Sequence, residues 1–285
     1  MPNNDEELLR SLPRVLRARD FHLYAEGGKR LVDLWLYGGK AVLGHKPPRV
    51  LLELKNAAER GLFTPLPHPL ERRLTKALAA FFPDRSFRFY NDSLSMYRAI
   101  EKAFPGENAS FQTEAISDPA FPDSNVGKTV ASLWRPFLEP LPDNGKTPIL
   151  IPVLPWPLGP AVLALDKSLE ISFPQGELIP PVLLAPAARA LYDLAAQIRG
   201  SDRQRFYRIE KATAGAGQGE GSKNGTWQRR GIYLTTRVNR KKYAELFRDF
   251  LEAGFLLPPK ANEPAILPAT MSKGEETCLA ELLGR

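Results

Sequence analysis

Apolar residues recur along this chain at two spacings, the three-to-four-residue step of a helix face and the two-residue step of a strand. Glycine and proline mark the places where one gives way to the other. Residues 6–19 predict a short helix broken at Pro13, because proline brings no N–H to the helical ladder. Between Tyr24 and Gly61 one run holds a hairpin, a glycine-rich crossing and a helix start. Glu26-Gly27-Gly28-Lys29 accepts positive φ between two apolar stretches, so the chain folds back there with Leu31, Val32, Leu34 and Leu36 on the returning strand. Gly38-Gly39 interrupts that strand, as a bulge or a close backbone approach does. Pro47-Pro48 then opens a helix whose apolar face is Val50, Leu51, Leu52, Leu54, Ala57 and Ala58.

Further along, Leu74, Leu78, Phe81 and Phe82 place a second helix over 70–82, ended by Pro83-Asp84. A strand over 87–90 comes next, and Asn91 to Met96 turn it into a helix over 97–104. Strand, tight turn and helix N-terminus aim several backbone N–H groups and a partial positive charge at one spot, which is the chemistry that holds a phosphate. Residues 105–147 are polar and rich in turn formers, predicting loops and short strands. Gly127-Lys128-Thr129 ends like a nucleotide-binding loop, but the glycine that should open the motif falls at Pro122, which loses both positive φ and an N–H. Residues 148–153 and 160–165 read as short buried strands of a parallel sheet, the second ending on Asp166. A helix over 186–199, a strand over 205–211, a glycine-rich connector and a second strand over 227–236 complete the middle of the chain. The GAGQGEG run lacks a buried strand before it and a helix after it, so it reads as a hairpin loop and not a dinucleotide fingerprint. The helix over 240–253 carries Tyr243, Leu246, Phe247, Phe250 and Leu251 on one face and stops at Gly254. Ser272 with Glu275 three residues on is a capping box for a last helix.

Composition narrows the function classes. The net charge of +7 arises from 39 basic and 32 acidic residues, a mixed surface and not a cationic tail. Basic clusters at Arg203 to Arg208 and Arg237 to Lys242 have no zinc, helix-turn-helix or RNP signature beside them, so no nucleic-acid partner is expected. Cys278 is the single cysteine, which excludes an internal disulfide framework and any cysteine-rich metal site. The first twenty residues contain no signal-like apolar stretch, and no apolar run reaches the roughly 18 residues a membrane span requires. A cytoplasmic protein without a membrane partner is the expectation.

Two segments resemble class III aminotransferases, the pyridoxal-phosphate (PLP) fold type I family that includes glutamate-1-semialdehyde aminomutase. The first is Gly28, Leu31-Val32-Asp33-Leu34, Gly39 and Leu43-Gly44-His45-Lys46-Pro47-Pro48-Arg49-Val50. The second is the tail with Gly254, Leu257-Pro258-Pro259, Glu263, Met271-Ser272 and Glu275-Glu276. The resemblance implies an α/β fold, an abridged PLP fold type I with a mostly parallel central sheet and a small α+β C-terminal domain. It implies an N-terminal arm and hairpin (1–47) packing on the small domain, a reduced large α/β domain (48–199) and the small domain itself (200–285). It also implies a homodimer.

At the site the chain departs from that family. The cofactor-binding candidates are Asn91, Asp92, Ser93, Leu94 and Ser95 at the phosphate turn, with Asp166 as the partner of the pyridine nitrogen. Of the turn residues only Asn91 matches; Asp92 brings a carboxylate toward a dianion, and Ser93, Leu94 and Ser95 replace the glycine, hydroxyl and glutamate of the motif. A surface aspartate closing a strand is the other reading of Asp166. The lysine that should bind the cofactor covalently has no counterpart at the expected spacing, leaving Lys167 as the one catalytic candidate. The expectation is a non-catalytic homologue acting as a dimeric binding or scaffolding protein, with no cofactor and no metal, and with room for a small-molecule ligand in a residual cleft. The alternative is a PLP-dependent transaminase or aminomutase using an unconventional lysine.

Overall fold

A computed structural model describes residues 4–104, 116–121, 129–138, 147–199, 206–214 and 226–284. The chain divides into two compact units, one made of Met1–Lys46 with Gly200–Arg285 and the other of Pro47–Arg199.

The first unit holds both ends of the chain. Helix α1 (Asn4–Arg10) stops short of Pro13, and Val15–Arg19 is strand β1. The break read at Pro13 holds, but residues 15–19, read as helix beyond it, are strand: proline cannot continue the ladder and disfavours helical backbone at the residue before it. Strand β1 pairs with β2 (His22–Ala25), which pairs in turn with β3 (Arg30–Asp33) across the Glu26–Gly28 turn. The returning strand is shorter than its apolar residues suggest, since Leu34 and Leu36 lie beyond it. The buried Asp33 carboxylate ends it by accepting the N–H groups of Trp35 and Leu36 at 2.8 and 2.9 Å, which starts a 3₁₀ turn over Leu36–Gly39. Its other oxygen lies 3.0 Å from His45 Nε2, an electrostatic contact off the hydrogen-bond line.

Strand β11 (Phe255–Leu256) adds to this sheet parallel to β3. Strands β9 (Trp227–Arg230), β10 (Tyr233–Thr236) and β12 (Ala265–Ile266) form a second sheet in the order β12-β10-β9. Residues 227–236 are therefore a hairpin in themselves, and the strand expected over 205–211 is helix α6 (Tyr207–Ala214). Its short pattern fits either period; packing against α8 (Lys273–Leu283) decides for the helix. The glycine-rich connector lies mostly outside the described residues. Helix α7 (Arg240–Glu252) buries the face read from its spacing, and Gly254 ends it at φ +93°. The capping box forms: Ser272 Oγ accepts the Glu275 N–H, and Glu275 accepts the Ser272 N–H at 2.8 Å. The same carboxylate also meets His22 Nε2 at 3.0 Å and Arg30 at 2.8 Å, tying α8 to the first hairpin.

The second unit is layered around one five-stranded sheet. Its strands are β4 (Arg85–Tyr90), β5 (Ile116–Ser117), β6 (Ala131–Trp134), β7 (Ile149–Pro152) and β8 (Ala161–Asp166), in the order β4-β8-β7-β6-β5. β5, β6 and β7 are parallel, whereas β8 pairs antiparallel with both β7 and β4. Four strands therefore run one way, and β8, read from sequence as a parallel strand, is the one that runs back. Tyr90, Ile149, Ile151, Leu163 and Leu165 line one face together with Met96 and Ile100 of helix α4 (Ser93–Ala103). That helix begins four residues earlier than its apolar pattern suggests, because Asp92 caps it. An aromatic cluster of Phe81, Phe82, Phe87 and Trp134 occupies the other face. Helices α2 (Pro48–Glu59) and α3 (Leu70–Ala79) pack on α5 (Pro181–Arg199), which starts before Pro186 and contains it. Leu52, placed on the apolar face of α2 from its spacing, is in fact exposed.

Phe247 is fully buried at the centre of the first unit's core. Its replacement by alanine is expected to cost about 3–5 kcal/mol. Urea unfolding tracked by tryptophan fluorescence checks this, and a loss below about 1 kcal/mol would mean that the site collapses around the smaller side chain.

Candidate functional site

In an open sheet of this kind, loops at the carboxyl ends of the parallel strands gather at one edge, where ligands are bound. Four strands of the second unit end there. The described residues just after β4, β5, β6 and β7 are 91–95, 118–121, 135–138 and 153–160. Asp118 and Arg135 leave neighbouring parallel strands at the same edge and form a two-pronged ion pair, with Arg135 Nε to Asp118 Oδ1 at 2.7 Å and the second prong at 2.6 Å. The guanidinium is 5 % exposed, so the pair fixes two loop starts to each other away from water. Sequence reasoning passed over both residues, because their partnership depends on a strand pairing that no local pattern reveals.

At the β4–α4 turn, the N–H groups of Asn91 and Ser95 have partners within the chain. Asn91 donates its backbone N–H to Glu177 Oε2 at 2.8 Å and its side-chain amide to the same oxygen at 2.9 Å. Ser95 donates its N–H to Asp92 Oδ1 at 2.8 Å. Asp92 thus acts as helix N-cap, a role its residue type favours. Ser93, Leu94 and Ser95 lie in the first turn of α4, and Leu94 faces solvent. Glu177 was not among the candidates, since it lies 86 residues from Asn91.

The segment that carries Glu177 is held against β4 along its open edge. Glu177 donates its N–H to the Phe89 carbonyl at 2.7 Å. Arg88 reaches the carbonyls of Glu170 and Pro174 at 2.7 and 3.3 Å. A Cβ built on Gly176 would stand 2.7 Å from the Phe89 oxygen and 2.8 Å from its nitrogen, so only glycine permits the approach. Tyr90, the next residue along β4, packs into the apolar face with Met96, Ile100 and Ile149, where its hydroxyl is buried and has no hydrogen-bond partner among the described residues. Burial pushes it up to about 12, with Arg88 opposing and Glu177 adding to the rise.

The remaining candidates are elsewhere. Because β8 runs against β4, Tyr90 pairs with Ala161 while Arg85 pairs with Asp166. Five residue steps along β4 separate the two pairs, about 16 Å at strand rise. Asp166 therefore sits at the opposite edge of the sheet from Asn91, where it accepts the N–H and hydroxyl of Ser168 at 2.9 and 2.7 Å. Those bonds hold its carboxyl below the ordinary range. Lys167 lies at that same far edge, with Nζ 3.5 Å from Asp84. The structure brings Asn91 to Ser95 together and leaves Asp166 and Lys167 apart from them. Among the described residues no cluster of metal-ligating side chains occurs and no helix is long and apolar enough to cross a membrane. The nucleotide-loop residues Gly127 and Lys128 fall outside the described residues.

No protein-family model matches the chain. An uncharacterised protein of Treponema pallidum (strain Nichols) is 28 % identical over 298 residues, covering 92 % of this chain and 91 % of that protein. A glutamate-1-semialdehyde 2,1-aminomutase of Hyperthermus butylicus is 37 % identical over 78 residues, 27 % of this chain and 18 % of that protein. Among solved structures, a thermostable (S)-enantioselective omega-transaminase from Thermomicrobium roseum matches with a TM-score of 0.67 at 14 % identity, covering 99 % of this chain and 94 % of that one. The chain therefore has the fold of the PLP-dependent aminotransferases. Within that fold its resemblance is to class III aminotransferases, in shortened form.

Gly176→Ala tests the clamp on β4. It is expected to cost about 1–3 kcal/mol of stability, as overpacking does, and to speed hydrogen exchange at the Asn91 amide. An unchanged exchange rate would show that the segment does not hold that amide.

Proposed function

We propose that the chain is a non-catalytic aminotransferase-like protein that works by binding, as a dimeric scaffold. One observation carries this reading. The described residues at the carboxyl ends of β4 to β7 contain no lysine, while Lys167 is placed at the other edge by the reversal of β8. A lysine must reach the cofactor's reacting carbon to anchor it, and about 16 Å of sheet lies between Lys167 and the β4–α4 turn. The turn's own chemistry supports the same reading, since a phosphate arriving there would meet two carboxylates and the already committed N–H groups of Asn91 and Ser95.

Purified protein mixed with PLP and scanned from about 300 to 500 nm is expected to show only the free cofactor. A borohydride-reducible band that maps to one lysine would overturn the proposal and favour a PLP enzyme with an unconventional lysine.

The dimer is proposed on the apolar surface of the second unit. Leu52, Phe63, Leu66, Leu94 and Leu158 are each more than half exposed. Single exposed apolar residues are ordinary; the proposal is that these contribute to one covered face, for which a two-fold homodimer is the commonest closed solution. Light scattering over a tenfold concentration range is expected to give twice the 31.8 kDa chain mass. A constant monomer mass would reject the dimer.

A further inference from the structure

We propose that residues 170–178 are a guard over the open edge of β4, and that lifting this guard turns the edge into a docking strand for β4 of a second copy of the chain. The inference does not rest on the non-catalytic reading.

β4 is where the sheet ends. Among the described residues it pairs with β8 on one side alone, and residues 174–180, which run beside it, form no strand. Phe87, Phe89 and Tyr90 are three of its six residues, and aromatic-rich strands pair readily with other strands. The backbone groups of an edge strand alternate between its neighbour and the outside, and the outward ones are a template for another chain. Bonds from Arg88 and from Glu177 to carbonyls 87 and 89 mark Phe87 and Phe89 as the outward residues.

The guard meets those carbonyls in turn. Glu177 donates its N–H to the Phe89 carbonyl at 2.7 Å, in the approach that only Gly176 permits. Arg88 closes the rest of the gap. Its Nη1 donates to the Phe87 carbonyl at 3.1 Å, Nη2 to the Glu170 carbonyl at 2.7 Å and Nε to the Pro174 carbonyl at 3.3 Å. One guanidinium thus joins the strand to two points of the loop, which its planar fork can do and the flexible point charge of a lysine cannot do in one fixed geometry. Between those points Phe173, buried in the same apolar cluster as Tyr90, pins the loop to the core.

The form of the loop is what makes it a guard. A sixth strand would bond β4 just as well, but it would present a new edge of its own. This loop is irregular, and Pro174 and Pro180 remove N–H groups that an added strand would need, so it closes the edge without extending the sheet. Without it, β4 of a second copy is the matching occupant. It carries the same outward pair, so two such strands laid antiparallel across a two-fold axis satisfy each other's groups.

The test compares wild type, Gly176→Ala, Arg88→Lys and the control Leu74→Ala, a fully buried residue of α3, by light scattering across a dilution series and by amide hydrogen exchange. The wild-type mass is the baseline and tests the dimer separately. Gly176→Ala, whose Cβ pushes the loop away, and Arg88→Lys, which keeps the charge but not the three-way clamp, are expected to add a heavier species that grows with concentration. In that species the Phe87 and Phe89 amides are expected to exchange at least about tenfold more slowly than in the dilute variant. Leu74→Ala is expected to stay at the baseline mass. Should Gly176→Ala fail to fold, Arg88→Lys, which places no new atom against β4, carries the test. Folded variants that stay at the baseline mass would overturn the proposal. So would association that leaves the Phe87 and Phe89 amides unprotected, or association that Leu74→Ala shows equally.

Discussion

The backbone ladder that joins β4 to β8 is the constraint on which the rest of the second unit depends. β8 is hydrogen-bonded on both sides, to β4 and to β7, and runs against both. Its direction decides which residues share an edge. With Ala161 opposite Tyr90, the carboxyl end of β8 lies beside the start of β4, and everything after Asp166 begins there. The chain must then travel back along the outer side of β4 to reach α5. That return path is residues 170–178, and it passes close enough to β4 that Gly176 is required. Glu177 reaches the helix head because the path leads there.

Helices and caps were legible in the sequence because they are set by neighbours a turn away. Pro48 at a helix start, the α7 face, Gly254 as its stop and the Ser272–Glu275 box all rest on residues three to five apart, and the structure has them as read. Strand existence was nearly as legible, since residues 149–151 and 161–165 are apolar runs that each follow a proline. Strand direction was not. A buried run such as Val162-Leu163-Ala164-Leu165 looks the same whichever way its neighbours point, so Asp166 was read into a site that lies across the sheet from it. The strand read over 205–211 became helix α6 for a related reason: its short run suits both periods, and only α8 selects one.

The candidate site was half legible. Asn91 to Ser95 were found from the strand-turn-helix pattern, which is local. Their partners were not, because Glu177 is 86 residues away and Arg135 lies 17 residues from Asp118 across a strand pairing. The one local trace was Gly176, whose close approach is invisible until Phe89 is placed beside it. Asp92 illustrates the limit from the other side. Its type was read as a repulsive charge at a phosphate site, while the structure uses it to satisfy the N–H of Ser95. Both effects come from one carboxylate, since a group that caps a helix head also repels an anion that would bind there.

This double use has a consequence for stability. A helix head pointed at a ligand site leaves N–H groups that the ligand must satisfy, and such a fold gains stability when the ligand binds. Here the Asn91 and Ser95 N–H groups are satisfied from within the chain, by Glu177 and Asp92. The turn therefore keeps its geometry without help from an anion. The return path past β4 supplies the glutamate, the antiparallel β8 creates the return path, and the strand-turn-helix geometry is kept through residues of different chemistry. A helix head whose Asn91 and Ser95 N–H groups are met from within the chain keeps that part of its geometry whether or not an anion is bound.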